Sequence, residues 1–262
     1  SGNKDLDVLS KSASATYALW CDACGGTDTI ANAQEKYSSA SVNYSDDATD
    51  YPVRFQLWKP ADLARLEQGL QAAKITLKAA KQDLKESAPD KWRQYLLGVW
   101  RRHQTEPAIA ALYASKLCIA EDLLTDWVQA HPKLKLPVTF DNWYTQPGFC
   151  RFLDKTLHLP YVGTLADNDQ LQLKPGPESV KDFAARLKQE HLEAVLKGKP
   201  PVFQRFTIRY KGEKETYYGY CHTHRVAHFG KQRLVINHRH ADLSDAPGVY
   251  SSNQLHWQAP GI

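Results

Sequence analysis

The spacing of apolar residues changes along the chain, and the changes predict where strands and helices lie. Apolar and polar residues alternate over 16–20, 39–44 and 51–58, which predicts three strands separated by turns. Apolar residues then recur every three or four positions over about 61–131, which predicts a block of amphipathic helices.

The pattern after this helical block mixes single strands with helices. A short apolar strand over 136–140 precedes a helix over 146–157, a strand over 161–165 and a helix over 178–196. The remaining chain is predicted to be rich in strands, at 203–210, 216–223, 225–229 and 233–238.

This order of elements predicts an α/β protein. Three opening strands followed by helix, strand, helix and strand fit an RNase H-like mixed sheet flanked by helices, although several α+β arrangements share the order. We expect a core over residues 1–200, with a helical insert at about 61–131. Residues 201–262 are expected to form a β-rich insertion or C-terminal block.

Asp141 directly follows the strand predicted at 136–140 and stands among aromatic residues. An acid at the carboxyl end of a core strand is held rigidly where solvent, metal and substrate can enter. The alternative is an Asx turn, in which the aspartate only binds the backbone that follows it. The local pattern leaves both interpretations open.

Composition narrows the class of protein. Hydrophobic residues make up 42% and charged residues 24%, which is typical of a folded domain. The chain has no run of about 18 apolar residues, and its first residues lack the apolar segment of a secretory signal. Five cysteines, an odd number, fit a reducing compartment. We therefore expect a cytoplasmic protein with no membrane partner.

The net charge of +4 is modest, so an argument for nucleic-acid binding depends on where the basic residues lie. Many fall in the β-rich block, between tyrosines and phenylalanines, where they could neutralise phosphates while the aromatic rings stack on bases. The alternative is the solvated face of an antiparallel sheet. The candidate DNA contacts in this block are Arg205, Arg209, Lys211, Lys214, Arg225, Lys231, Arg233 and Arg239.

A zinc site is a rival hypothesis. Cys21 and Cys24 are spaced as in metal-binding turns, and Cys221 lies beside His222 and His224. Alternation along a strand, however, places the two histidines on the face opposite Cys221. The cysteines are better explained as small core residues. Gly-rich phosphate loops, Gly-x-Ser-x-Gly and His-Glu-x-x-His are not found in the sequence.

Several phrases, in the same order along the chain, resemble those of the DDE transposases of bacterial insertion sequences. TFDNWY is similar to the phrase around the second catalytic aspartate of that family, and YPVRFQLWKP is similar to the segment before its helical insert. The matching segments are 31–34, 51–60, 115–120, 139–144 and 161–165. The resemblance implies an RNase H-like catalytic domain.

The resemblance also implies a chemistry. Three carboxylates in that family hold two Mg²⁺ or Mn²⁺ ions, which activate the attacking oxygen and stabilise the leaving oxygen of a phosphodiester. Asp141 corresponds to the second carboxylate. The first corresponds to Asp5 or Asp7, and a one-residue slip in the alignment favours Asp7. Asp141 and Asp7 are thus the expected metal ligands.

The third carboxylate is a glutamate on a late helix, which we expect to lie beyond Ile262, since no acid follows Asp245. Asp242 and Asp245 are expected to be turn residues. Two functions therefore stay open: cleavage and transfer of DNA strands at insertion-sequence ends by an incomplete catalytic core, or a non-catalytic nucleic-acid-binding relic of a transposase.

The resemblance further implies the partners of the protein. They are double-stranded DNA, both transposon ends and target, and a second copy of the chain in a homodimer. Lys116 corresponds to a phosphate contact on the helix before the second aspartate. The implied location is the bacterial cytoplasm, at the nucleoid when DNA is bound.

Overall fold

The computed structural model describes residues 38–45, 50–210 and 212–262. The described residues divide into two compact units, one of residues 38–41 and 54–120 and the other of residues 42–45, 50–53 and 121–262. The strand predicted at 16–20, Asp5, Asp7, Cys21, Cys24 and Lys211 lie outside the described residues.

The first described elements are strands β1 (Ser38–Ser45) and β2 (Asp50–Trp58), which pair in a two-stranded sheet. The strands predicted at 39–44 and 51–58 are thereby confirmed. The predicted helical block is confirmed as well: α1 (Leu63–Ala72), α2 (Leu84–Ser87), α3 (Pro89–His103), α4 (Pro107–Ala110) and α5 (Lys116–Ala130), with a 3₁₀ turn at Ala79–Lys81.

The helices of the first unit begin and pack as their sequences predict. Asp62 starts α1, because its side chain accepts hydrogen bonds from the backbone N–H groups of Ala64 and Arg65. Pro89 and Pro107 occupy first helical positions, where the missing N–H is harmless. The buried core contains Leu66, Leu70, Trp92, Leu96, Val99, Trp100 and Ile109.

The second unit is built on an eight-stranded sheet. Its strands are β3 (Val138–Phe140), β4 (Tyr161–Thr164), β5 (Gln170–Leu173), β6 (Gly176–Ser179), β7 (Gln204–Tyr210), β8 (Glu213–Val226), β9 (Gly230–His238) and β10 (Gly248–Ser252). The spatial order is β3-β4-β10-β9-β8-β5-β6, and β7 pairs with β8. Strands β3 and β4 are parallel, whereas the other pairs are antiparallel.

The α/β class and the mixed sheet are therefore confirmed, while the RNase H-like arrangement stays a prediction, as do the domain boundaries. The helix predicted at 146–157 is observed as α6 (Pro147–Arg151) with a π-helical turn at Phe152–Thr156. The helix predicted at 178–196 is α7 (Val180–Leu196). No helix in the described part of the chain is both long and apolar enough to cross a bilayer.

Helix α7 packs on one face of the sheet and forms its main core. The Ser179 side chain accepts from the Asp182 N–H and starts the helix. Apolar residues at helical spacing then face the sheet. The cluster includes Val180, Phe183, Ala184 and Leu187 of α7 with Leu171, Phe203, Val226, Leu234, Ile236 and Val249.

Strand β8 is longer than its neighbours, which leaves part of it outside the main sheet. It pairs with β9 from Tyr218 to Val226 and with β7 from Glu213 to Gly219. Near its start, β7 is therefore its only partner among the described strands. We call the hairpin formed by β7 and residues 213–219 the β7–β8 ribbon. Gly212 follows β7 with φ 82°, a left-handed conformation that suits glycine in the hairpin turn.

Candidate functional site

Asp141 lies at the carboxyl end of β3, as the sequence predicts. Phe140 pairs with Gly163 of the parallel strand β4, and its ring contacts the rings of Phe149 and Tyr161 at centroid distances of 5.3 and 5.7 Å. A Cβ atom on Gly163 would lie 2.5 Å from Cε2 of Phe140, so the absence of a side chain lets the ring pack there. The residue before Asp141 is thus anchored in the core.

The side chain of Asp141 forms an Asx turn. Its Oδ1 accepts hydrogen bonds from the N–H groups of Trp143 and Tyr144 at 3.0 and 3.3 Å, and its carbonyl accepts from the Thr145 N–H and hydroxyl. Asp141 is exposed, and none of the described residues donates to Oδ2. The Asx turn is therefore confirmed, while the role of Asp141 as a metal ligand stays a prediction.

Aromatic residues border this carboxylate. Trp143 is 49% exposed, and its ring lies edge to face with Tyr144 at 4.8 Å. Burial raises the pKa of Tyr144, and the charge of Asp141 raises it further, so the phenol stays protonated. The site offers a neutral hydroxyl and an indole ring next to an anionic oxygen.

Three other aspartates, Asp169, Asp242 and Asp245, accept hydrogen bonds from backbone N–H groups in turns. Parallel β4 ends in a loop where Asp169 accepts from the Ala166 N–H at 2.9 Å. Asp245 accepts from the N–H groups of Arg239 and His240, and Asp242 accepts from the Ser244 N–H. For Asp245, burial raises the pKa, but these N–H donors outweigh it and lower the pKa below its usual value.

Within the described ranges, no group of three or more His, Cys, Asp or Glu side chains is arranged to hold a metal ion. The residues of the zinc hypothesis have other contacts. Cys221 Sγ lies 3.8 Å from the Trp257 carbonyl, and His224 Nε2 lies 2.8 Å from the Tyr220 hydroxyl. The two-metal site stays a prediction, because its other expected carboxylates fall outside these ranges.

Strand register places the candidate DNA contacts in two groups. We call the end of the sheet at which β3 and β4 finish the Asp141 end. Since β7 and β9 also finish there and β8 begins there, Arg205, Arg209, Lys214 and Arg239 lie toward it. Arg225, Lys231 and Arg233 lie toward the opposite end, beside the β8–β9 turn.

Three residues of the first group, Arg205, Arg209 and Lys214, share one face of the β7–β8 ribbon. Arg205 is opposite Tyr218 and Arg209 is opposite Lys214, and positions two apart on a strand share a face. Arg205, Arg209 and Lys214 are exposed. Arg239, just beyond β9, instead lies beside Tyr217, on the opposite face of the ribbon. A hydrogen bond to Glu215 and burial raise the pKa of Tyr217, and Arg239 offsets part of this rise.

The second group is less uniform. Arg225 and Lys231 are exposed and directly opposite each other on β8 and β9. Arg233 instead binds the end of the chain, where its Nε donates to the Trp257 carbonyl at 2.7 Å and its Nη2 to Gln258 Oε1 at 3.2 Å. Arg233 therefore has a structural role that its sequence context did not reveal.

Lys116 begins helix α5 in the first unit. Its Nζ lies 5.0 Å from the ring centroid of Trp58, a cation–π distance. The predicted phosphate contact at Lys116 stays a prediction.

Sequence reasoning missed the opposition of Arg209 and Lys214 across the hairpin. The sequence predicts a turn over residues 211–214, between the strands predicted at 203–210 and 216–223, whereas β8 already begins at Glu213. A two-residue hairpin loop pairs its flanking positions symmetrically, and the observed strand ends accordingly pair 210 with 213 and 209 with 214.

Comparison of the chain with protein-family models, curated proteins and solved structures gave no match.

Proposed function

We propose that this protein cleaves and transfers DNA strands by metal-dependent phosphoryl transfer, as the DDE transposases that its sequence resembles do. The observation that carries the proposal is the placement of Asp141. Its backbone is fixed by a core strand and a turn, yet Oδ2 faces solvent at the end of two parallel strands. An RNase H-like arrangement of the core is part of the proposal.

The carboxylate of Asp141 is the type of donor that a hard divalent cation prefers. Asp141 supplies an exposed carboxylate oxygen, the ligand type that Mg²⁺ and Mn²⁺ favour. Asp141 would hold the ion together with Asp7, or with Asp5. A bound pair of such ions would lower the pKa of the attacking water or 3′-hydroxyl and stabilise the leaving oxygen. The protein supplies the position of the carboxylate, which the Asx turn fixes before substrate binds.

Substitution of Asp141 tests this proposal. Asp141→Asn keeps an oxygen for the turn but removes the charge, and loss of a metal ligand is worth several kcal/mol, or more than about 100-fold in rate. We expect wild-type protein to nick supercoiled DNA with Mg²⁺ or Mn²⁺, and Asp141→Asn to show little cleavage.

Asp167→Asn is the matched control. Asp167 is also an exposed aspartate, in the loop after the parallel neighbour β4. We expect this variant to cleave like wild type. Equal cleavage by wild type and Asp141→Asn would refute the role of Asp141. DNA binding without any metal-dependent cleavage by wild type would instead support the non-catalytic nucleic-acid-binding protein.

A further inference from the structure

We infer that the basic face of the β7–β8 ribbon holds duplex DNA at the Asp141 end of the sheet, and that the Arg225–Lys231 pair takes no part in this contact. The inference rests on the proposed function and deepens it. It divides basic residues that the sequence places in one block into a DNA-binding group and a group that serves another purpose.

The basic face carries unbalanced charge. Arg209 and Lys214 are directly opposite in register, and like charges in that position destabilise a strand pair. No described carboxylate forms an ion pair with Arg205, Arg209 or Lys214. The fold gains nothing from this arrangement, whereas a row of phosphates would neutralise it.

The whole face is suited to hydrogen bonding with phosphates. Between Arg205 and Arg209 lies Thr207, whose hydroxyl is 3.4 Å from that of Thr216 on β8. Guanidinium, ammonium and hydroxyl groups are the side-chain donors that proteins direct at the DNA backbone. Arg205 and Arg209 are four residues apart, about 13 Å along the strand, which corresponds to about four base pairs.

The opposite face of the ribbon packs against other parts of the protein. Phe206 and Tyr217 stack at a centroid distance of 5.7 Å, and Gly219 lies against Phe206 and Ala259 of the 3₁₀ turn Ala259–Gly261. This face packs within the protein. On the basic face, Tyr218 packs against the main core, whereas Arg205, Thr207, Arg209 and Lys214 are exposed. A ligand can therefore cover the part of this face beyond Tyr218.

The position of the ribbon relative to Asp141 suits a duplex. By register, Asp141 is level with Cys221 of β8, four strand spacings away, about 19 Å. Lys214 lies seven residues from Cys221 in the direction of the Asp141 end, about 23 Å along the strand. Together the two offsets put Lys214 about 30 Å from Asp141, the length of about nine base pairs. The ribbon thus extends past the end of the sheet, and DNA lying across that end would meet it.

Arg225 and Lys231 form a like-charged pair similar to Arg209 and Lys214, but they lie toward the end of the sheet opposite Asp141. Arg225 is four residues from Cys221 in the opposite direction, about 13 Å, and faces the other end of the sheet. Arg225 is no farther from Asp141 than Lys214 is, but it lies toward the opposite end of the strands, so a duplex along the Asp141 end would contact the ribbon and not this pair. The two like-charged pairs therefore form a matched comparison.

The experiment measures DNA affinity without cleavage, by fluorescence anisotropy of a labelled duplex in metal-free buffer. The test variant is Arg209→Gln/Lys214→Gln and the control is Arg225→Gln/Lys231→Gln, each of which removes two charges from a cross-strand pair. We expect the test variant to bind about 10-fold or more weakly, with a salt slope reduced by about 2. The control should bind within about 2-fold of wild type, with an unchanged slope.

Other outcomes separate the inference from the proposed function. Equal losses in both variants, or a larger loss in the Arg225 variant, overturn the inference while the proposed function stands. Wild-type protein that binds no duplex even at about 0.05 M salt defeats the proposed function itself. If the double variant misfolds, Arg205→Gln alone repeats the test, because Tyr218 rather than a charge is opposite it; wild-type affinity in that variant overturns the inference.

Discussion

At Asp141 the two oxygens of one carboxylate have different surroundings. Oδ1 accepts two backbone hydrogen bonds, whereas Oδ2 faces solvent. We expect Asp141→Ala to lower the free energy of unfolding by about 1 kcal/mol, the typical value of such a cap, because the N–H groups of Trp143 and Tyr144 lose their acceptor. Asp141→Asn keeps an acceptor and should lie close to wild type.

Urea denaturation of both variants measures this difference. Equal destabilisation by alanine and asparagine would contradict it, since the turn would then depend on the charge rather than on the acceptor. If Asp141→Asn is as stable as wild type, a loss of cleavage in this variant cannot be attributed to unfolding.

Gly163 is a second residue on which the site depends. A Cβ atom there would lie 2.5 Å from Cε2 of Phe140 and 2.8 Å from the Thr145 hydroxyl, both part of the Asp141 region. We expect Gly163→Ala to cost about 1–3 kcal/mol through overpacking, measured by thermal or urea unfolding.

The control for this prediction is Gly148→Ala. Gly148 lies in helix α6, and a Cβ atom there would meet nothing within 4 Å. Alanine has the higher helix propensity, so this variant should be neutral or slightly stabilising. A Gly163→Ala protein as stable as the Gly148→Ala protein would show that Phe140 moves aside without cost.

The sequence predicted the location of Asp141 because the relevant signals are local: an apolar run, an acid and a turn former in succession. It could not show how the oxygens are used, since a hydrogen-bond acceptor and a metal ligand have the same chemistry. Arg233 illustrates the limit. Its partners, Trp257 and Gln258, are more than twenty positions away, and no local pattern encodes them.

At the scale of elements, the long periodic segments and the short apolar strands β3 and β4 were predicted, whereas three other short strands were missed. Strand β8 was predicted as two strands broken at His224, but it is continuous because its pairing with β9 runs through His224, opposite Gln232, as far as Val226. Strands β5, β6 and β10 were not predicted. In β10, Ser251 and Ser252 are fully buried, and burial of serine depends on the strands beside it.

Helix α7 offers a test at this scale. Its first turn is closed by Ser179, whose hydroxyl accepts from the Asp182 N–H and donates to the Asp182 carboxylate. We expect Ser179→Ala to destabilise the protein by about 1 kcal/mol and Ser179→Asn, which keeps a cap, by much less. Chemical denaturation compares the two, and identical stabilities would mean that packing of α7 on the sheet alone fixes where the helix begins.

At the scale of the molecule, the sequence predicted an α/β protein with a mixed sheet, and both features are observed. The order of strands could not be derived in the same way, since it depends on pairings such as β4 with β10, which are more than eighty residues apart in the chain. The transposase resemblance also stays a prediction. It rests on short phrases, and the metal ligands it implies besides Asp141 lie outside the described residues.

The stability of the whole molecule should fall in mild acid, because two histidines are held neutral by the fold. His191 is 5% exposed, and burial, followed by the nearby His238, lowers its pKa. Its Nδ1 accepts from the Phe203 N–H at 3.1 Å, which requires an unprotonated nitrogen. Burial likewise lowers the pKa of half-buried His224.

The unfolded chain, with histidine pKa values near about 6.5, therefore binds more protons than the folded protein below that pH. The free energy of unfolding should be constant above about pH 7.5 and fall as the pH drops through about 6.5. His191→Asn keeps an acceptor near the Nδ1 position and does not titrate, so it should reduce this slope. The control His256→Asn, at an exposed position, should leave this slope unchanged. Urea denaturation at several pH values in this range gives the free energy of unfolding of wild type and both variants. If the pH dependence is the same in His191→Asn and wild type, His191 does not cause it.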